Sequence, residues 1–231
     1  MLTVSDLHVG YGSVTALNGV GFTAEAGRIT CIMGRNGVGK TTLMRAIVGI
    51  HRATSGRVAL AGTDVTRLAA HQRAKAGIAI VPQGREIFAR LSVYDNLLVG
   101  LEARRDRTIG VIEEVMTLFP ILKQFAKRMG GDLSGGQQQQ LAIARALVGS
   151  PKVLLLDEPT EGIQPNIIDE IGVVLRRLAD DRGMAIVLVE QYVAWVREIG
   201  DTFQAMDRGR IVASGPTSAL TDEVVSRHLS V

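Results

Sequence analysis

The sequence predicts an α/β fold with a mixed central sheet, and three patterns support this prediction. Short, uniformly apolar runs are typical of buried parallel strands, and they occur at residues 29–33, 78–81, 153–156 and 185–189. Alternating polar and apolar residues are typical of half-exposed antiparallel strands, and they occur at residues 2–9, 19–24 and 57–60. Strand patterns disappear between Ser92 and Val148, where helical spacing takes over. The predicted architecture is therefore an α/β core with an antiparallel β subdomain and an inserted α-helical subdomain.

Local signals predict where several of these elements begin and end. Ser92 and Asp95 have the spacing of a capping box, which predicts the start of a helix at this point. A second helix of the insertion is predicted at residues 109–118. Residues 202–213 contain two strand-like runs around a glycine turn, which predicts a hairpin after the last buried strand.

The size and composition of the chain fit one domain. The 231 residues are 46% hydrophobic, which is enough to bury the core of a single α/β domain spanning residues 1–231. We assign residues 1–84 and 151–231 to the core with its antiparallel β subdomain, and approximately 85–150 to the helical subdomain. The formal net charge is only +3 and the basic residues are scattered, so we expect no nucleic-acid partner.

Cysteine usage and hydropathy limit the cellular setting. The single cysteine, Cys31, lies in an apolar run, which predicts a buried structural thiol and excludes an internal disulfide framework. No apolar run approaches the length of about 18 residues that a membrane-spanning helix requires, and no signal peptide is recognisable. We therefore expect a soluble protein whose contact with a membrane depends on a partner.

The most informative motif is the segment Gly34-Arg35-Asn36-Gly37-Val38-Gly39-Lys40-Thr41, which fits the phosphate-binding pattern GxxxxGK[ST] at every fixed position. It follows a predicted strand and precedes a helix-like stretch at residues 42–48, which is the context that the motif requires. Its glycines allow consecutive backbone N–H groups to face phosphate oxygens at the positive end of the helix. The alternative is an ordinary glycine-rich turn before a helix, and the complete match favours a phosphate site.

The residue types in this loop predict separate roles for its side chains. Lys40 would reach the β- and γ-phosphates of a nucleoside triphosphate, and the Thr41 hydroxyl would bind Mg²⁺. We expect Lys40 to serve phosphate binding rather than the stability of the fold, since the protein alone offers a charged side chain no reason to be buried. The predicted nucleotide-binding residues of this segment are Gly34, Asn36, Gly37, Gly39, Lys40, Thr41 and Thr42.

Two carboxylates end another predicted strand. Asp157 and Glu158 directly follow the apolar run at residues 153–156. Asp157 would hold Mg²⁺ through water, and Glu158 would orient or deprotonate the water that attacks a phosphate. Acidic residues often end strands, so the pair is a weak signal by itself and a strong one together with the phosphate loop.

A third motif, Leu133-Ser134-Gly135-Gly136-Gln137, directly precedes a predicted helix at residues 138–148. Ser134 and Gln137 have the spacing of a capping box, so an ordinary helix start is one interpretation. The two glycines indicate more, because they would let a phosphate approach bare backbone N–H groups. The phosphate loop, this LSGGQ segment and the strand ending in LLLDEP, in that order, closely resemble the ATPase subunit of ABC transporters. The resemblance covers essentially the whole chain.

This resemblance implies a P-loop NTPase core of the ABC ATPase type, which binds ATP and Mg²⁺ and hydrolyses ATP. Tyr11 resembles the aromatic residue that stacks on adenine in this family, although it is otherwise an unremarkable side chain in a glycine turn. Gln83 matches the glutamine that contacts Mg²⁺ and the attacking water, and its alternative is a surface glutamine after a strand. The candidate metal ligands are then Thr41, Gln83 and Asp157. In a head-to-tail pair of subunits, each nucleotide would face the partner's copy of Ser134, Gly135, Gly136 and Gln137.

Two positions depart from the family pattern. Gln191 lies where the family has a switch histidine that contacts the γ-phosphate, and glutamine donates a neutral hydrogen bond but carries no charge. We retain Gln191 with Glu158 and Gln83 as a candidate catalytic residue. Gln164 lies where the family has an aspartate. Both departures resemble the importers of branched-chain amino acids and amides, and the urea importers are the most similar group at residues 83–88, 137–140 and 161–165.

The resemblance also implies partners and a location. The partners are transmembrane permease subunits, a second, related ATPase subunit and, indirectly, a substrate-binding protein. A heterodimer of ATPase subunits is expected because a homodimer with Gln191 in both sites would have no histidine to sense the γ-phosphate. The implied location is peripheral, on the cytoplasmic face of the inner membrane.

Two other functions remain open from the sequence. A soluble ABC ATPase acting on DNA or ribosomes would carry long coiled coils or two ATPase units, and this sequence shows neither sustained heptads nor a second unit. A non-catalytic nucleotide-binding regulator is disfavoured by Glu158 but remains compatible with Gln191. ATP turnover by the pure protein separates an enzyme from a regulator, and co-purification with membranes or ribosomes separates the cellular roles.

Overall fold

The computed structural model consists of two β-sheets with helices packed against them. It describes residues 1–12, 14–104, 106 and 108–229. Within these residues the strands are β1 (Leu2–Tyr11), β2 (Val14–Ala24), β3 (Ile29–Met33), β4 (Ser55–Leu60), β5 (Thr63–Asp64), β6 (Ile78–Val81), β7 (Val153–Asp157), β8 (Ala185–Val189), β9 (Thr202–Asp207) and β10 (Arg210–Pro216). The α-helices are α1 (Lys40–Ile47), α2 (Ala70–Ala76), α3 (Val93–Gly100), α4 (Gly110–Leu118), α5 (Pro120–Gln124), α6 (Gly135–Val148), α7 (Pro165–Arg182), α8 (Val193–Ile199) and α9 (Asp222–His228).

The central sheet, over the described residues, has the strand order β10-β9-β3-β8-β7-β6. Strands β6, β7, β8, β3 and β9 run parallel, and β10 pairs antiparallel with β9 at one edge. The strands predicted from apolar runs all lie in this sheet, and the predicted hairpin forms its β9–β10 edge. The mixed central sheet confirms the predicted fold class.

Successive side chains of β7 point to opposite faces of the central sheet, and both faces are covered. Leu154 and Leu156 belong to the hydrophobic core that includes residues of α6 and α7, whereas Val153 and Leu155 belong to the core that includes α1. A strand that is covered on both faces needs an apolar side chain at every position. This explains the uniformly apolar sequence from which the strand was predicted.

The register of the central sheet brings three strand ends to one edge. Ile32 of β3 pairs with Val189 of β8, and Asp157 of β7 pairs with the same Val189. Because parallel strands carry their carboxyl ends at the same edge, the segments that follow them start side by side. These segments are the loop before α1, the turn at Glu158 and the turn at Gln191. Three motifs that are distant in sequence therefore meet at one place.

The second sheet has the strand order β2-β1-β4-β5 and is antiparallel throughout. Its apolar side chains share one core with Leu43, Met44 and Ile47 of α1 and with one face of the central sheet. Buried and exposed positions alternate over much of β1 and β2, as expected for strands with one solvated face. The predicted half-exposed strands are thus confirmed, and α1 lies between the two sheets.

The helices α3 to α6 form the predicted insertion between β6 and β7. Ser92 begins α3 by accepting a hydrogen bond from the backbone N–H of Asp95 at 3.0 Å, as its spacing predicted. The predicted start of the later helix at residue 138 is wrong, because α6 begins at Gly135 and Ser134 is its capping residue. The limits proposed for the two subdomains remain predictions.

The sequence predicts that Cys31 is buried and that no helix spans a membrane. Cys31 is fully buried in β3, and burial raises the pKa of its thiol well above the ordinary value. The prediction of a buried thiol is therefore confirmed. In the part of the chain that the structure describes, no helix is both long enough and apolar enough to cross a membrane.

Arg73 is buried on α2 and holds the end of α1. Its guanidinium donates hydrogen bonds to the carbonyls of Ala46 and Ile47, both at 2.8 Å, and to those of Leu68 at 3.0 Å and Thr66 at 2.5 Å. The last carbonyls of a helix lack partners within the helix, so a cation at this end satisfies them and complements the helix dipole. Since α1 follows directly on the phosphate-binding loop, Arg73 fixes the far end of the helix that carries this loop.

The replacement Arg73→Ala is expected to lower the free energy of unfolding by about 3 kcal/mol, because buried carbonyl groups lose their donor. Chemical denaturation followed by circular dichroism measures the change. Lys75→Ala, an exposed change on the same helix, is the control and should alter the free energy of unfolding by less than about 0.5 kcal/mol. Equal stability of Arg73→Ala and the unchanged protein would contradict the capping role.

Candidate functional site

The loop between β3 and α1 follows a backbone path that requires glycine at two points. Gly39, which caps α1, has φ +109°, and Gly34 has φ +152°. A Cβ atom at Gly34 would lie 2.4 Å from the carbonyl oxygen of Met206, so the loop passes too close to β9 for a side chain. This tight path explains why the phosphate-binding pattern has glycine at both positions.

Lys40 is the first residue of α1 and is 5% exposed. Its Nζ donates hydrogen bonds to the carbonyl oxygens of Gly34 at 2.8 Å and Arg35 at 3.0 Å, and it lies 3.6 Å from Oε1 of Glu158. Burial lowers the pKa of Lys40, and the Glu158 carboxylate opposes this shift. The expectation that the protein itself would not bury this charge is therefore wrong. Lys40 stabilises its own loop through these two hydrogen bonds. Only the three-dimensional path of the loop shows this contact.

Glu158 is the residue on which the candidate catalytic side chains converge. Its Oε1 accepts a hydrogen bond from Nε2 of Gln191 at 2.6 Å, and its Oε2 accepts one from Nε2 of Gln83 at 3.3 Å. Glu158 has φ +49°, a left-handed conformation that is uncommon outside glycine and clusters at functional sites. The structure thus brings Gln83 and Gln191 into contact with Glu158, and the ammonium group of Lys40 lies beside them.

Gln191 joins Glu158 to the phosphate loop. Its amide group also donates to Oδ1 of Asn36 at 2.9 Å, in addition to the hydrogen bond to Glu158. The preceding residue, Glu190, is buried, and its carboxylate accepts hydrogen bonds from the backbone N–H of Gln191 and from the hydroxyl of Thr160. Glu190 therefore fixes the turn that presents Gln191. Sequence reasoning missed Glu190, whose only signal was a carboxylate directly after a buried strand.

Asp157 has the chemistry of a cation ligand. Its side chain is buried near the hydroxyl of Thr41, and burial raises the pKa of Asp157. Among the described residues, its Oδ1 has no hydrogen-bond partner. A buried, unpartnered carboxylate oxygen next to a hydroxyl fits a hard cation such as Mg²⁺, which takes oxygen ligands. The described residues contain no cluster of three or more His, Cys, Asp or Glu side chains for a metal, so phosphate or water oxygens would have to complete such a site.

Lys40, Gln83 and Glu158 line a cavity of about 530 Å³, whereas Asp157, Glu190 and Gln191 lie outside its described lining. Its walls include residues 36–42 of the phosphate loop and α1, together with Gln83 and Glu158. They also include Glu161 and Arg208, which sequence reasoning did not select; Glu161 accepts a hydrogen bond from Nε2 of Gln83 at 3.0 Å. A cavity of several hundred Å³ is in the usual size range for a small-molecule site.

Of the predicted nucleotide-binding residues, Gly34, Tyr11 and the segment at residues 134–137 lie outside the described lining of this cavity. Ser134 and Gln137 form a reciprocal capping box at the start of α6, with backbone N–H to side-chain oxygen distances of 3.0 and 3.4 Å. Tyr11 is 45% exposed, its hydroxyl lies 3.4 Å from that of Thr42, and its ring packs edge-on against the ring of His51. Tyr11 is therefore next to α1, whereas the LSGGQ segment lies at the start of α6.

Gln164, the second departure from the family pattern, lies at the start of α7. It is the residue that caps α7, in an extended conformation, and its side chain makes no capping hydrogen bond. Pro165 follows as the first residue of the helix, where its missing N–H leaves no unsatisfied donor. The turn after Glu158 therefore leads directly into α7.

A phosphate-binding loop between a parallel strand and a helix, with two carboxylates at the end of a second parallel strand at the same sheet edge, defines a nucleoside triphosphatase. The family model described as ABC transporter matches residues 17–161. The chain belongs to the ABC transporter family of ATP-binding proteins and is an ATPase of that family.

Curated relatives match along nearly the whole chain. The chain is 36% identical over 221 residues to the high-affinity branched-chain amino acid transport ATP-binding protein BraG of Pseudomonas aeruginosa, covering 95% of this chain and 94% of the relative. It is 38% identical over 227 residues to the probable branched-chain amino acid transport ATP-binding protein LivF of Archaeoglobus fulgidus, covering 96% and 94%. It is also 35% identical over 231 residues to the lipopolysaccharide export system ATP-binding protein LptB of Escherichia coli strain K12, covering 98% and 95%.

Solved structures match the fold to the same extent. A nucleotide-free ATP-binding cassette from an ABC transporter superposes with a TM-score of 0.87 at 26% identity, covering 98% of this chain and 95% of that chain. An ABC transporter cassette in its ADP conformation superposes with a TM-score of 0.85 at 27% identity, covering 94% and 91%. The architecture of this chain is therefore that of an ATP-binding cassette.

Lys40→Ala is expected to weaken ATP binding and also to lower the free energy of unfolding by about 1–2 kcal/mol, because two loop carbonyls lose their donor. Titration with a fluorescent nucleotide and chemical denaturation without nucleotide measure the two effects. Lys127→Ala, an exposed change on the helical insertion, is the control and should alter neither quantity. A variant that loses ATP affinity but keeps its full stability would show that the buried contacts add nothing to the fold.

Proposed function

We propose that this chain is the ATP-binding and ATP-hydrolysing subunit of an ABC importer that energises uptake of urea, a related amide or a branched-chain amino acid. The observation that carries the proposal is the convergence of Lys40, Gln83 and Gln191 on Glu158, beside a cavity that Lys40, Gln83 and Glu158 line. Relatives at 36% and 38% identity are named for branched-chain amino acid transport, which supports the class of solute. The urea assignment is supported by the motif resemblance at residues 83–88, 137–140 and 161–165.

The side chains at the site have different roles in ATP hydrolysis. Lys40 and the N–H groups of the phosphate loop neutralise phosphate charge, and the protein holds them in position before the reaction begins. Glu158 accepts a proton from the water that attacks the γ-phosphate. Gln83 and Gln191 hold the Glu158 carboxylate from two sides and orient that water. Positioning and electrostatics therefore supply most of the catalysis.

Thr41, Asp157 and Gln83 are the proposed ligands of Mg²⁺. The buried Oδ1 of Asp157, which has no partner among the residues that the structure describes, supports this assignment, because burying a carboxylate oxygen is costly unless a cation compensates its charge. When bound, Mg²⁺ supplies positive charge that polarises phosphate oxygens. Asp157 ends β7 and Thr41 is in the first turn of α1, and the closeness of their side chains supports a shared cation.

We propose that a complete ATP site requires two ATPase subunits facing head to tail. The start of α6 lies outside the described lining of its own chain's cavity, and the first N–H groups of a helix form an anion-binding end. The residues that would contact the nucleotide of the facing subunit are Ser134, Gly135, Gly136 and Gln137. Tyr11 would stack on the adenine of its own chain's nucleotide.

A groove of about 450 Å³ between α2, β6 and the helical insertion is the proposed docking site of the transmembrane permease. Its lining is mainly apolar and includes the exposed side chains of Phe88 and Val99. Apolar surface of this kind marks an interaction site. The groove adjoins the segment that follows Gln83, so closure of the nucleotide site would move the permease. We place the chain at the cytoplasmic face of the inner membrane, with a substrate-binding protein acting indirectly through the permease.

Purification of the intact membrane complex through a tag on this chain tests the transport role. We expect permease subunits and a second ATPase subunit to co-purify, and the reconstituted complex to take up labelled urea or a labelled branched-chain amino acid. A relative at 35% identity is named for lipopolysaccharide export. Recovery of export components without solute uptake would therefore overturn the importer assignment and leave the ATPase assignment in place.

The change Glu158→Gln is expected to reduce ATP turnover by about 100-fold or more while ATP binding survives, because the amide keeps the shape of the side chain but cannot accept the proton. Steady-state phosphate release and nucleotide titration measure the two quantities. Glu198→Gln, an exposed change on α8, is the matched control and should leave turnover unchanged. Turnover of Glu158→Gln at the rate of the unchanged protein would exclude Glu158 as the general base.

The neutral Gln191 predicts that this chain works beside a different ATPase subunit. If the partner carries a histidine at this position, one composite site has a switch histidine and the other has Gln191. ATPase rates should then be low for this chain alone, high for the reconstituted complex, and raised by Gln191→His mainly in the chain alone. If this chain and the permease transport solute without the second ATPase subunit as fast as the full complex does, the heterodimer proposal is wrong.

A further inference from the structure

Arg85 connects two segments that belong to different ATP sites in the proposed pair. Its Nη2 donates a hydrogen bond to the carbonyl oxygen of Glu161, in the turn that follows Glu158, at 3.1 Å. A Cβ atom placed on Gly135 would lie 3.0 Å from Nη1 and 3.3 Å from Nη2 of Arg85. The guanidinium therefore lies flat against the first residue of α6. It fills the space that a side chain at Gly135 would need.

The backbone that carries Arg85 is held in an unusual conformation. Arg85 has φ +69° and the next residue, Glu86, has φ +44°, both in the left-handed region that non-glycine residues seldom adopt. Arg145, near the other end of α6, donates a hydrogen bond to the carbonyl oxygen of Glu86 at 2.8 Å and stacks over the ring of Phe88. The segment after Gln83 is thus held against both ends of α6, and the strain is compensated by these contacts.

The charge of Arg85 is not explained by ion pairing. Among the described residues, no carboxylate lies within 4.0 Å of its guanidinium nitrogens, and its hydrogen-bond acceptor is a neutral backbone carbonyl. The start of a helix carries partial positive charge, so the position does not favour a cation either. What Arg85 supplies is a planar fork that touches two backbone segments at once. A role in positioning accounts for this arrangement, whereas a role in electrostatic stability of the fold does not.

We propose that Arg85 is a positioning residue that links the ATP site of its own chain to Gly135, which serves the site of the facing subunit. This inference rests on the proposed function. The link starts at Gln83, which contacts Glu158 and Glu161, and passes through the Glu161 carbonyl and Arg85 to the start of α6. Nucleotide binding at the phosphate loop displaces the turn at Glu161, and the rigid guanidinium carries the displacement to the LSGGQ segment.

Hydrogen exchange of the isolated full-length chain tests the link within one subunit. The probe is AMP-PNP with Mg²⁺, at a protein concentration at which the chain is monomeric. In the unchanged protein, the nucleotide should slow exchange of backbone amides both at residues 34–42 and at residues 134–138. Arg85→Ala should keep the first response and lose the second. Arg90→Ala, an exposed arginine on the same segment, is the matched control and should keep both.

The two segments separate this inference from the proposed function. A missing response at residues 34–42 of the unchanged protein means that the loop does not bind nucleotide, which overturns the proposed function and this inference with it. A normal response at 34–42 with an undiminished response at 134–138 in Arg85→Ala overturns the role of Arg85 alone. Alanine keeps the backbone constraint of a non-glycine residue at this φ, so the comparison isolates the side chain. If Arg85→Ala does not fold, Arg85→Gln removes the fork while it retains an amide donor, and the same outcomes apply.

Kinetics of the membrane complex supply a readout that a purely structural role would not produce. Arg85→Ala should lower kcat for ATP by about 10-fold or more, because a misplaced catalytic geometry costs this much, while KM changes by less than about twofold. Arg85→Lys, which keeps the charge but not the fork, should give an intermediate kcat. An unchanged kcat, or a rise in KM that accounts for the whole loss, would overturn the proposal.

Discussion

The parallel register of β3, β7 and β8 is the constraint on which the candidate site depends. Each of these strands ends at the same sheet edge, and the segments that follow carry Lys40, Glu158 and Gln191. Hydrogen bonds of 2.6 and 2.9 Å between these segments leave no room for a shift of even one residue between strands. The uniformly apolar strands secure the register because both of their faces are buried.

Several charged side chains of the candidate site are buried in the fold. Lys40, Asp157 and Glu190 are all buried. Lys40 donates to loop carbonyls and Glu190 accepts from backbone N–H and hydroxyl groups, so the cost of burying these charges is offset by hydrogen bonds. Asp157 differs, because one of its oxygens has no partner among the described residues. The fold therefore stabilises the charges of Lys40 and Glu190 by hydrogen bonds. It leaves one carboxylate oxygen of Asp157 available to a ligand.

The glutamine at position 191 has a physical consequence that a histidine would not have. A side-chain amide has two N–H hydrogens, so Gln191 donates to Asn36 and to Glu158 at the same time. A neutral imidazole has one N–H and could satisfy only one of these acceptors. The departure from the family pattern thus keeps Glu158 joined to the phosphate loop without any charge at this position. These two hydrogen bonds of Gln191 do not depend on the protonation changes that affect histidine near neutral pH.

The sequence alone determined those features that depend on local pattern. The apolar runs predicted β3, β6, β7 and β8, and the spacing of the glycines, Lys40 and Thr41 predicted the loop between β3 and α1, because periodicity and motif spacing are local properties. It misplaced the start of α6 at residue 138, because the two glycines at the first helical positions have low helix propensity, although the spacing of Ser134 and Gln137 indicated a capping box.

Only the tertiary structure decided which distant side chains touch. The burial of Lys40 in its own loop and the contact of Arg85 with Gly135 carry no signal of their own in the sequence. The hydrogen bond of Glu190 to the turn at Gln191 has only the weak signal of a carboxylate after a buried strand. Each depends on the register and separation of segments that are far apart along the chain. The candidate site residues could therefore be selected from the sequence. Their mutual geometry could not, because it is set by how the two sheets and the helical insertion pack together.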